Sequence, residues 1–213
     1  MELPYLLVGW LLGLLSPRII DTIKEKYALR ALATAIRSEA EDLQYRVSIA
    51  SFLLAQRFGT VNRDYLVWLR PRLGQYKGNE PVASIQKFVE SLLSSSEDQL
   101  VAISQHMRAD EGMGLSLKRF SANLIESNLA AIHSFPPEFQ LRVHELRNHL
   151  SVLNQEIDRA IESLRMTFDS SMSSENHKRL VDDLNAKYNV IQGMCMRVSD
   201  RLQAIIEYEI KRI

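Results

Sequence analysis

Residues 139–164 read FQLRVHELRNHLSVLNQEIDRAIESL, and the apolar positions in that run decide the fold. Phe139, Val143, Leu146, Leu150, Leu153, Ile157, Ala160 and Leu164 follow at steps of four, three, four, three, four, three and four. A helix turns about 100° per residue, so this alternation holds one apolar seam against a single partner, as in a coiled coil. Downstream, FDSSMSSENH (168–177) supplies a turn, with Ser173 or Ser174 as helix N-cap. Leu184, Tyr188, Ile191, Cys195, Val198, Leu202 and Ile205 then form a second stripe running back. Two such helices joined by a short turn predict an antiparallel, coiled-coil-like hairpin over residues 136–213. Leu146, Leu150, Leu153, Ile157, Ile191, Val198 and Leu202 are its expected seam, open to use within the chain or between chains.

Upstream, residues 21–135 read as a long helix followed by shorter ones. Leu29, Leu32, Ile36, Ala40, Leu43, Val47, Ala50 and Leu54 keep steps of three and four, with no Gly or Pro between them, which predicts one amphipathic helix to about Arg57. VNRDYLVWLRPRL (61–73) predicts a helix broken near Pro71, and LGQYKGNEP (73–81) a loop. A helix over about 82–93 follows, then another whose Ser94 and Glu97 have capping-box spacing. EGMGLS (111–116) is a break, and LKRFSANLIESNLAAIHSF (117–135) is expected to be helical up to Pro136 and Pro137. No sustained period-two alternation occurs anywhere, so the class is all-α.

The chain opens MELPYLLVGWLLGLLSPRII, in which Leu3 to Leu15 carries no charged or conventionally polar side chain. Those thirteen residues make about 20 Å of helix, short of the roughly 30 Å hydrocarbon core. Continuing to Ile20 adds about 7 Å, with Arg18 able to reach headgroups from the end of the span. A secretion signal is disfavoured, because only Glu2 carries charge ahead of the run and no small-residue cleavage site follows it. Arg18, Lys24, Lys26, Arg30 and Arg37 all follow the run, which by the positive-inside bias places the body in the cytoplasm. Gly9 and Gly13 form a GxxxG pair that lets two apolar helices approach closely. Residues 1–20 are therefore expected to be a membrane anchor, with a buried or docking helix as the alternative.

Composition narrows the function. Lys plus Arg and Asp plus Glu both number 26, so there is no net charge to attract nucleic acid. The one cysteine, Cys195, forbids an intramolecular disulfide, and its place on the apolar stripe reads as a buried thiol. There is no GxxxxGK[ST], GxGxxG or GxSxG. His144-Glu145 begins like a zinc-protease HExxH, but the second histidine is His149, about 140° around the helix, where it cannot share a ligand face. No metal or other cofactor is expected.

HELRNHL (144–150) also resembles the H-box of histidine-kinase dimerisation helices. That resemblance implies a phosphoacceptor role for His144 with Glu145 as the adjacent base, on a helical hairpin. His149 stands where that family often has proline, and no Gly-rich ATP-binding domain follows. Autokinase activity is therefore not expected, and a phosphotransfer module is left as one alternative.

The expectation is a non-enzymatic, membrane-anchored scaffold or assembly protein at the inner membrane of a bacterial-type cell. Its partners would be membrane lipid and either another protein or a second copy, with no small-molecule substrate. A second alternative is an oligomerising, membrane-perturbing effector whose soluble body gates the short anchor.

Overall fold

The computed structural model describes residues 3–76, 82–109 and 114–209, the side chains of 3–17 and of 82 excepted. The expected hairpin is formed by helices α7 (Pro137–Met166) and α8 (Ser174–Ile206). Pro137 opens α7 at a position where a missing N–H costs nothing, and Ser173 caps α8 by accepting from Asn176 N at 3.3 Å. The helices run antiparallel: Arg142 bonds Ala204 O near one end, Glu145 pairs with Arg201 at 3.1 Å, and Lys187 reaches Ser163 near the other. Phe139 through Ala160 and Leu184 through Ile205 of the predicted stripes are buried, Leu164 partly so.

Helix α1 (Leu3–Phe58) is the third member of this core. It lies antiparallel to α8, with Gln44 beside Ser199 and Gln203, and Arg57 beside Asn185. Its end is set by Gly59, which has φ 63° while Gly59 N and Thr60 N bond Gln56 O and Ala55 O. That is a Schellman closure, in which the positive φ favours glycine. The expected amphipathic character holds only toward the N-terminal side. Between Leu43 and Ala55 only Arg46 and Leu53 are exposed, because a second set of helices covers the other face.

That second set comprises α2 (Arg63–Gly74), α3 (Val82–Ser94) and α4 (Glu97–His106). Leu66, Leu69, Leu73, Val89, Leu92 and Leu100 pack against Tyr45, Phe52 and Ala55 of α1 in a core cluster separate from that of the hairpin. Pro71 does not break α2 as expected. The bond it deletes would end on Val67 O, on an exposed turn where water can replace it, and Arg72 bonds the neighbouring Trp68 O. The capping box also falls two residues later than expected. Ser96 and Gln99 exchange bonds at 3.3 and 3.0 Å, whereas Ser94 turns back onto Glu90 O and Ser91 O.

The expected helix over 117–135 is replaced by irregular chain and two short turns, α5 (Asn123–Ser127) and α6 (Leu129–Ile132). Side chains from three helices take the backbone groups that a helix would have paired. Tyr188 Oη accepts from Leu115 N at 2.9 Å and donates to Leu115 O at 2.7 Å. Asn154 does the same for Phe120, accepting at 2.9 Å and donating at 2.7 Å. Glu39 of α1 accepts from Leu124 N at 2.8 Å and Ile125 N at 3.0 Å, capping α5 from a distant helix. Leu117, Ala122 and Ile125 are thereby held in the hairpin core.

Among the described residues no helix is long and apolar enough to cross a membrane. The anchor expected over 1–20, with its Gly9 and Gly13 face, lies up to Pro17 outside the described side chains.

Removing a clasp strands backbone groups, at a cost of about 1–3 kcal/mol. We expect Asn154→Ala and Glu39→Ala each to lower unfolding free energy by that amount and to speed hydrogen exchange at Phe120, and at Leu124 and Ile125, respectively. Asp158→Ala, which removes only a solvent-exposed 3.8 Å pair with Arg119, should change stability by less than about 1 kcal/mol. Unchanged exchange at Phe120 in Asn154→Ala would refute the clasp.

Candidate interaction surfaces

The seven seam residues Leu146, Leu150, Leu153, Ile157, Ile191, Val198 and Leu202 are all buried inside the chain. They hold the hairpin to itself and to α1, and in this conformation they present nothing to a partner.

His144 lies on the exposed side of α7. Glu145 is turned across the hairpin to Arg201, while its carbonyl is 2.7 Å from His149 Nδ1. A shallow groove beside this pair is lined by Asn148, His149, Val152, Met194 and Arg197. The carboxylate that the H-box resemblance would assign as base is thus engaged by a guanidinium on the other helix. Among the described residues no three His, Cys, Asp or Glu side chains converge as a metal site would require.

Elsewhere the polar chemistry joins elements together. Asp200 of α8 accepts from Trp68 Nε1 at 3.0 Å and Arg72 Nη2 at 2.6 Å, and the Arg72 guanidinium lies 4.4 Å over the Trp68 ring. This ties the α2–α4 set to the hairpin. Arg57 sits 5.3 Å over Tyr188 and bonds Asn185, with its pKa lowered by burial. Burial raises Tyr188, and the Leu115 bond and the Arg57 charge oppose that shift. Tyr65 donates to the buried Ser51 at 3.1 Å and is raised chiefly by burial. Burial likewise pushes the Cys195 thiol up to about 12, which leaves it protonated and unreactive at neutral pH.

Among the described residues, exposed large apolar side chains gather at two places at opposite ends of the molecule, besides single positions such as Val67, Val101 and Leu141. One is the hairpin turn, with Met166 and Phe168. The other is the N-terminal part of α1, where Ile19, Ile20, Ile23 and Tyr27 are exposed. The second was readable in the sequence, because these residues are out of phase with the Leu29–Leu32–Ile36 stripe; neither was among the expected interaction residues.

The raised acids set a direction for pH. The ordinary values are 9.0 for Cys195 and 10.0 for the tyrosines, so above about pH 9 the unfolded chain has lost protons that the native chain still holds. Deprotonation then favours unfolding, by up to about 1.4 kcal/mol per pH unit for each group past its ordinary value. Stability measured by denaturant titration should fall from about pH 9 upward, and Cys195→Ala should delay the onset to the tyrosine range. An unchanged onset in that variant would refute the thiol's part. No protein family, curated protein or solved structure matches the chain.

Proposed function

We propose that the chain is a membrane-tethered helical scaffold, non-enzymatic, whose body faces the cytoplasm and works through helix–helix contacts. The observation that carries this reading is the continuity of α1. One helix contains the apolar opening stretch, then a segment from Arg18 to Ala28 exposed on every side, then the buried rod of the bundle. A tether built this way transmits position rigidly, because the anchor cannot move without the helix around which both core clusters pack. The exposed segment amounts to about 16 Å of stalk between anchor and body. The coiled-coil-like hairpin then serves as the arm that carries Met166 and Phe168 to the far end.

The engagement of Glu145 by Arg201 supports scaffolding over phosphotransfer at His144. Placement at the inner membrane of a bacterial-type cell follows from the basic residues after the apolar run and belongs to this same reading.

Fractionation of the full chain and of a chain beginning at Lys24 tests the tether. The full chain should resist carbonate and dissolve in detergent, and the shortened one should be released without either. Release of both into the soluble fraction would remove the membrane from the account and leave a helical adaptor.

A further inference from the structure

Helix α1 carries an apolar stripe that nothing described in the chain covers. Ile19, Ile20, Ile23 and Tyr27 are 55, 47, 48 and 68% exposed, a concentration of large apolar surface unmatched on the other helices. At about 100° per residue, the four fall within about 100° of arc. Lys24 and Lys26 flank that arc on its two sides, whereas Asp21 and Glu25 lie on the opposite face. The arc is centred about 125° away from Leu29, Ala33 and Ile36, through which α1 joins the hairpin, so the stripe faces away from that body.

Three coverings can be compared. The α2–α4 set packs on this same side of α1, but its contact begins at Tyr45, about 27 Å further along. The turns between present Thr34, Arg37, Ser38 and Glu41 on that side, so the stripe is no extension of the core. A second copy of the helix packed in parallel on this stripe would set Lys24 on one rim beside Lys26 of the other chain, like charge against like. A lipid surface needs only what is present: apolar side chains below, a tyrosine at the boundary, cations at the rim and acids turned away.

We propose that residues 19–27 lie obliquely in the headgroup layer of an anionic bilayer. Ile19, Ile20, Ile23 and Tyr27 reach the acyl boundary, and Lys24 and Lys26 meet lipid phosphates and carboxylates. The proposal rests on the membrane-tether reading and adds to it an orientation and a lipid class. Because α1 runs without a break from the apolar stretch through Tyr27, the helix must lie obliquely for this face to stay in the headgroup layer, as interfacial helices do. The hairpin body then rides on the side of α1 that faces the cytoplasm.

The test places an environment-sensitive fluorophore on full-length chains carrying Ile23→Cys, Asp21→Cys or Gly9→Cys, with the buried Cys195 left in place. Each is reconstituted in vesicles of phosphatidylcholine with or without phosphatidylserine, and quenched by lipid-borne nitroxide or by aqueous iodide. Position 23 should be blue-shifted and quenched from the lipid, position 21 quenched from water, and the contrast should shrink without phosphatidylserine or in high salt. Equal access of iodide to 21 and 23, with position 9 in lipid, would overturn the proposal and leave the tether intact. Position 9 in water would overturn the tether as well. Shielding of position 23 from both quenchers would assign the stripe to a second copy, and lipid quenching at both 21 and 23 would make it part of a span. A lipid signal at 23 indifferent to phosphatidylserine would overturn the anionic class.

Discussion

Helix α1 is buried from two sides at once, and the rest of the structure depends on that double contact. Toward α8 it presents Ile36, Leu43, Val47 and Leu54, and toward α2–α4 it presents Tyr45, Phe52 and Ala55. A fully buried Leu, Ile or Phe contributes about 1.5–3 kcal/mol relative to exposure, so each face supplies stability of the order that holds a whole domain. Polar residues on the rod are buried too and each is bonded through at least one atom, although Gln44 Oε1 has no partner among the described residues. Gln44 donates to Ser199 O at 3.0 Å and Gln203 Oε1 at 2.8 Å, Ser48 meets Ser199 at 3.0 Å, and Ser51 meets Tyr65. Such bonds add little net stability, but a one-turn slip would leave them unpaired, so they fix the register of α1 against α8 and α2.

The irregular segment between the two sets of helices follows the same logic. Tyr188, Asn154 and Glu39 give residues 115–125 the backbone partners that a helix would have supplied internally. Its conformation therefore belongs to α1, α7 and α8 as much as to its own sequence. Local propensity is a matter of tenths of a kcal/mol per residue, and six hydrogen bonds from buried or half-buried side chains outweigh it.

Most of the polar groups that could have carried chemistry are used as fasteners. Asp200 holds Trp68 and Arg72, Glu145 holds Arg201, and Arg57 lies over Tyr188. Among the described residues, large apolar side chains are exposed in groups at two ends, the α1 stalk and the hairpin turn, and at single positions along the other helices.

The sequence by itself determined the helical class, the two stripes of the hairpin and the C-terminal end of α1, because apolar spacing at three and four registers burial directly and each stripe is long enough to average over exceptions. Tertiary structure alone decided that α1 is covered on its second face, that Pro71 stays inside α2, that Ser96 rather than Ser94 starts α4, and that 117–135 gives up its helix. Two of those turn on partners far away in the chain, the α2–α4 cluster and side chains reaching across from other helices, and two on local details that periodicity does not report, an exposed carbonyl that water can serve and a competing serine cap. Periodicity reports which face of a segment is apolar. It carries no information about which distant group will be there to meet it.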